Sequence, residues 1–350
     1  MIEYNYINRE VNNMLYNSKR DVNDCFQVVE TTIPIQSREI QTKNISDIKI
    51  KGKTLICLCG NNTRDPLRAK QYAAYGFRWL TGCKEKEDIT AYSVFYPHEQ
   101  PLFTNLSQNP AFDYNALSEE MFGQIINADG KKQSVEEIIK TFGQTVFFGH
   151  SVGGLVMNEL MEGLKKLLRE NEFSPAEIEK VYKSIVFVAY SPYQVVDAPI
   201  NAIYIAPVYD SIGSTMRAYA KVMQNGGVCS DAKFIEKKEE LLSQEYYMEF
   251  LDVYEHLMGN RLSAYYLGGN TLCATPNLLY GDGAKEDHGM AGIIGDSPFQ
   301  TEAGKTATKF LKECMRYSFS EDRSMYNLGY LYNYALLEMQ NNDTNISEES

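Results

Sequence analysis

The sequence predicts an α/β fold, a mostly parallel central sheet with helices on both faces. Two observations carry that expectation. Short runs such as "TLICLC", "TVFFGH" and "IVFVAY" are almost continuously apolar, as strands covered on both sides must be. Between such runs lie amphipathic segments long enough to return the chain to a parallel neighbour.

The elements follow in order. Residues 1–25 are rich in Asn and Tyr, have weak periodicity, and read as an extension or a short helix. "CFQVVETTIPIQ" alternates and carries β-branched residues, which predicts an edge strand or hairpin. "SDIKIKG" reads as an alternating strand, and Thr54–Cys59 as a buried central one. "RDPLRAKQYAAYGFRWLTG" has a helical pattern after Pro66, and "DITAYSVFYP" is a strand stopped by Pro97. "ALSEEMFGQIINADG" and "SVEEIIKTFG" supply helical periods before the strand "QTVFFGHS".

"GGLVMNELMEGLKKLLREN" is one amphipathic helix, with Lys and Arg toward its end, where the helix dipole favours cations. In "SPAEIEKVYK" Ser174 can cap a helix and Pro175 suits its first turn. "SIVFVAYSP" and "NAIYIAPVYD" are further strands. From residue 211 to about residue 276 the strand rhythm stops, which predicts a helical insertion before the last core strand, in the place of a lid. "TPNLLYGDGAKEDHGMAG" restores a short strand and a Gly-rich loop, and two helical stretches precede a polar, acidic tail. Residues 1–50 thus read as an N-terminal extension with edge strands, and 51–350 as the main domain.

Composition narrows the function. With 44% hydrophobic and 23% charged residues among 350, the chain can bury a sizeable core. A net charge of -12 at pH 7 repels polyanions, which argues against nucleic acid as a partner. A neutral acyl chain is not opposed, so peripheral membrane contact stays compatible. Seven cysteines fall at no zinc-like spacing and suggest reduced thiols in a reducing, cytoplasmic compartment. The start of the chain has no apolar core of the Sec-signal type. No apolar run reaches the roughly 18 residues of a membrane-spanning helix.

"TVFFGHSVGG" carries the chemistry. Gly149–Gly153 fits G-x-S-x-G, with an apolar strand, Thr145–Phe148, before it and a long amphipathic helix after it. A serine on so sharp a strand-to-helix turn has a strained backbone. Its neighbours must be small, and its hydroxyl stands at a helix N-terminus, where developing negative charge is favoured. The alternative is a structural turn with a buried serine.

With its flanking elements, "FFGHSVGGLVMNEL" resembles the nucleophile segment of the α/β-hydrolase superfamily, in particular its lipase- and esterase-like members. That resemblance spans roughly residues 53–310 in its order of strands and helices. It implies a triad in the chain order Ser, acid, His. Ser151 is then the nucleophile and Asp210, ending "NAIYIAPVYD", the acid, with Asp197 in "QVVDAP" as its rival. His288 in "KEDHGMAG" is the base, chosen over His98, His150 and His256 by chain order and loop context. The family builds its oxyanion hole from the amide after the nucleophile, here Val152, and one after the first central strand, here Asn61 or Asn62. "CGNN" departs from the family's usual His-Gly pair.

The resemblance implies hydrolysis of a carboxylic ester or thioester through an acyl-serine, with a lipid or acyl ester as preferred substrate. Two rivals remain on the residues: a catalytically silent scaffold on the same fold, and an acyltransferase using the same serine. No metal or organic cofactor is expected. "GDGAKEDHG" lacks the spacing of a calcium loop, and neither G-x-G-x-x-G nor a P-loop occurs. The residue usage and acidic tail are also like those of effector lipases that bacteria inject without a Sec signal.

Overall fold

A computed structural model describes residues 22–33, 40–60, 63–80, 89–96, 114–128, 130–192, 196, 198–205, 262–266 and 271–276. After a short helix α1 (Val22–Cys25) come β1 (Gln27–Ile33), β2 (Gln41–Lys43) and β3 (Thr54–Leu58). Helix α2 (Pro66–Leu80) leads toward β4 (Ile89–Phe95). Next are α3 (Tyr114–Ile126), the hairpin β5 (Asn127–Ala128) and β6 (Lys131–Lys132), α4 (Val135–Gly143) and β7 (Thr145–His150). Helices α5 (Gly153–Glu170) and α6 (Pro175–Lys183) precede β8 (Val186–Tyr190) and β9 (Asn201–Ile205). The strands β10 (Leu262–Tyr266) and β11 (Thr271–Pro276) are the last described elements.

Nine of the described strands form one sheet in the order β10-β11-β9-β8-β7-β3-β4-β1-β2. The run from β11 through β9, β8, β7 and β3 to β4 is parallel. The pairs β4–β1, β1–β2 and β10–β11 are antiparallel. The chain is therefore of the α/β class, with a mixed, mostly parallel sheet.

Helices cover both faces. Along β7 alternate side chains point to opposite sides. Phe148 lies against Gly76 of α2, whereas Phe147 meets Phe122 of α3, with ring centroids 6.2 Å apart. Helix α5 joins the α3 side, where Gly163 fits directly over Ser118. All five residues of β3 and of β8 are buried, which is why these strands lack alternation.

Three expectations need correction. "SDIKIKG" is not a strand. Ile45–Asp47 is a 3-10 turn, held by the Asp47 carboxylate accepting the Asn44 amide at 3.1 Å. Ile48 and Ile50 are nevertheless buried, so their alternation reflects burial without a ladder. The helical pattern of "IINADG" stops at Ile126, and β5–β6 follows as a hairpin.

The third correction concerns the 211–276 insertion. It contains β10 and β11, so strands occur within it, and Thr271–Pro276 is the last core strand among the described residues. "LSAYYLGGNTLCATP" carries the reason: two runs of strand-forming residues separated by a Gly-Gly-Asn stretch. The two helical stretches expected near the C-terminus lie outside the described residues.

Candidate active site

The site forms where neighbouring strands send their chains to opposite faces. From β3 the chain enters α2, on the Phe148 side of the sheet. From β7 it enters α5, on the other side. Strands β3 and β7 are adjacent and parallel, with Leu58 opposite Gly149. The carboxyl ends of such a pair open a crevice, the usual ligand site of open α/β sheets. Cys59-Gly60 and His150-Ser151 stand at that crevice.

Between β7 and α5 only Ser151 and Val152 intervene. Ser151 has a φ of 52°, in the left-handed region that costs a non-glycine residue about 1–2 kcal/mol. Its amide donates to the Tyr190 carbonyl of β8 at 3.2 Å, and its carbonyl accepts from the Gly154 amide at 3.2 Å. The turn is thus tied on one side to the sheet and on the other to the helix. Val152, with φ -62° and ψ -15°, caps α5. Its amide belongs to the first turn, where N–H groups have no intrahelical acceptor.

Two glycines permit this closure. A Cβ on Gly149 would stand 2.8 Å from the Phe187 ring, and one on Gly153 would strike the Leu58 carbonyl oxygen. The glycines of G-x-S-x-G are therefore required by space: the helix starts hard against the end of β3. Ser151 and His150 are each only 6% exposed, so the turn is buried.

Beside the serine is a network that sequence reasoning missed. The Tyr72 hydroxyl of α2 lies 2.9 Å from His150 Nδ1. It accepts from the Gly60 amide at 3.2 Å and from the Thr63 hydroxyl at 3.4 Å. A Cβ on Gly60 would collide with the His150 ring. The loop after β3 is closed further by the Thr63 amide on the Gly60 carbonyl at 3.3 Å, and by the Tyr96 amide on the Thr63 carbonyl at 3.2 Å. Burial, with Cys59 adding to it, pushes the Tyr72 phenol well above its ordinary range. It keeps its proton at neutral pH. In the sequence Tyr72 was only one apolar position of a helical pattern, although a buried tyrosine must find a partner for its hydroxyl.

Of the expected site residues, Ser151 and Val152 meet at the turn. Asp210, its rival Asp197, His288, Asn61 and Asn62 lie outside the described residues. The Gly60 amide is engaged by Tyr72, so an anion-binding donor on this loop must come from beyond Gly60.

Ser191 is a further feature. It follows β8 next to the turn, has a φ of 44°, is fully buried, and its hydroxyl has no hydrogen-bond partner. Among the described residues no cluster of His, Cys, Asp and Glu could hold a metal ion. No described helix is long and apolar enough to cross a membrane.

Comparison with known proteins assigns no family: no family model matches the chain, and no curated protein matches it.

Proposed function

We propose that the chain is a serine hydrolase of the α/β-hydrolase type, cleaving a carboxylic ester or thioester, with a lipid or other acyl ester preferred. One observation carries this reading: Ser151 in a left-handed turn between the end of a central parallel strand and the start of a helix, at the crevice where the sheet changes direction. A nucleophile gains from that position, because its hydroxyl stands at the end of the strand beside the first amides of the helix.

In this mechanism His288 takes the Ser151 hydroxyl proton as Oγ attacks the acyl carbon. The oxyanion is held by the Val152 amide and by Asn61 or Asn62. His288 then protonates the leaving alcohol or thiol as the tetrahedral intermediate collapses to an acyl-serine. Water, deprotonated by His288, attacks the acyl-serine, and His288 returns that proton to Ser151 Oγ as the acid is released. Asp210 orients the imidazole and stabilises its charged form.

A fluorophosphonate probe tests the assignment. The folded wild type should be labelled on Ser151, and the Ser151→Ala variant should not. A folded wild type that resists the probe, or labelling that persists in the variant, removes Ser151 as the nucleophile.

A further inference from the structure

We infer that Tyr72 is a positioning residue, holding His150 as the neutral Nε2–H tautomer and thereby fastening the turn that carries Ser151 to the loop after β3. The effect on rate rests on the hydrolase reading, but the tautomer does not.

A phenol has one hydrogen to donate and two lone pairs to accept with. The Gly60 amide occupies one lone pair of Tyr72 at 3.2 Å. The Thr63 hydroxyl, at 3.4 Å, occupies the other. The phenol hydrogen is left for its nearest neighbour, His150 Nδ1, at 2.9 Å. Nδ1 is then an acceptor, and the ring proton of a neutral imidazole must sit on Nε2.

The reverse arrangement is worse on each count. A proton on Nδ1 would turn the phenol hydrogen from a 2.9 Å contact to the 3.4 Å one. An imidazolium would likewise carry a proton on Nδ1 and turn the phenol hydrogen to the longer contact.

The position follows from the same contacts. His150 immediately precedes the nucleophile, Gly60 immediately precedes Asn61, and Tyr72 grips both from a third element. Gly60 has no side chain because the His150 ring fills that space. Tyr72 therefore sets the distance across the crevice between two loops that must hold one oxyanion together. Its loss should loosen the transition state more than the bound ester.

The test uses the full-length chain with 15N-labelled histidine, and the His150→Gln variant to assign the resonance. At neutral pH the His150 ring should report a protonated Nε2 and an unprotonated Nδ1. A protonated Nδ1, or a doubly protonated ring, overturns the inference whatever the activity. In Tyr72→Phe the His150 signature should move toward a tautomer mixture. With a p-nitrophenyl acyl ester, kcat should fall about 10- to 100-fold, with KM within about 2-fold. An unchanged nitrogen signature and an unchanged kcat in a folded Tyr72→Phe also overturn it. A chain that hydrolyses no ester yet carries the Nε2–H tautomer would sink the hydrolase reading and leave the tautomer standing.

Discussion

At the scale of single residues, Ser151 and Ser191 form a pair with a shared peculiarity. Both are buried serines with positive φ, 52° and 44°, at the ends of adjacent strands. Left-handed backbone costs a serine about 1–2 kcal/mol, and glycine relieves it while losing about 0.5–1 kcal/mol to its freer unfolded chain. Ser191→Gly removes a hydroxyl that has no partner. It should therefore raise stability by roughly 0.5–1 kcal/mol, read as a higher urea midpoint with unchanged slope. Ser151→Gly should be at least as stable as wild type while losing all probe labelling, the trade expected where strain is kept for chemistry. A Ser151→Gly variant clearly less stable than wild type would mean that the turn is not strained. At this scale the sequence revealed the tight turn at Ser151 and the glycines around it, because crowding leaves a local pattern. It could not reveal Tyr72, which meets His150 across 78 positions of chain and looks like any other apolar residue on its helix.

At the scale of elements, the ends of the helices obeyed local chemistry. In α6 the Ser174 hydroxyl accepts the Glu177 amide at 3.3 Å, and the Glu177 carboxylate accepts the Ser174 amide at 2.7 Å. Ser174 and Pro175 were legible as a helix start because capping involves residues three apart. Ser174→Ala should cost about 1 kcal/mol. Hydrogen bonds from the Ser174 hydroxyl and amide hold the Glu177 carboxyl below its ordinary range. A carboxyl lowered in the folded state adds stability above its unfolded value, and that stability is lost as pH falls through the folded one. Wild type and Ser174→Ala should accordingly converge in urea midpoint on acidification, and a gap that widens in acid would contradict this. The β5–β6 hairpin escaped the sequence reading for a physical reason. Its strands are two residues long, too short to interrupt the helical period that runs up to Ile126. The β10–β11 pair was masked in the same way by the charged helical pattern before it.

At the scale of the whole molecule, the buried strands make a prediction about thiols. Cys57 and Cys59 are free and wholly buried at the centre of the sheet. Burial pushes both thiols well above their ordinary range, which removes the reactive thiolate. Iodoacetamide should leave the peptide carrying these two residues unmodified in the native chain and modify it fully in denaturant, as read by mass spectrometry. Native modification on the timescale of an exposed thiol would contradict a central β3. The sheet's order was only partly legible from the sequence: continuous apolar runs marked which strands are central, but pairing is a long-range choice that no local pattern encodes. The crevice between β3 and β7 is a product of that choice.

The margin of the sheet has a consequence for assembly. Strand β2 is three residues long with Gln41 and Thr42 exposed, and its Lys43 ammonium reaches back to Glu30 of β1 at 2.6 Å. A foreign strand arriving there would find little backbone to pair with and a lysine to desolvate, which are the means by which natural sheets discourage edge-to-edge growth. Among the described residues the sheet ends on this side in its shortest strand, an edge that is a poor template for a further copy.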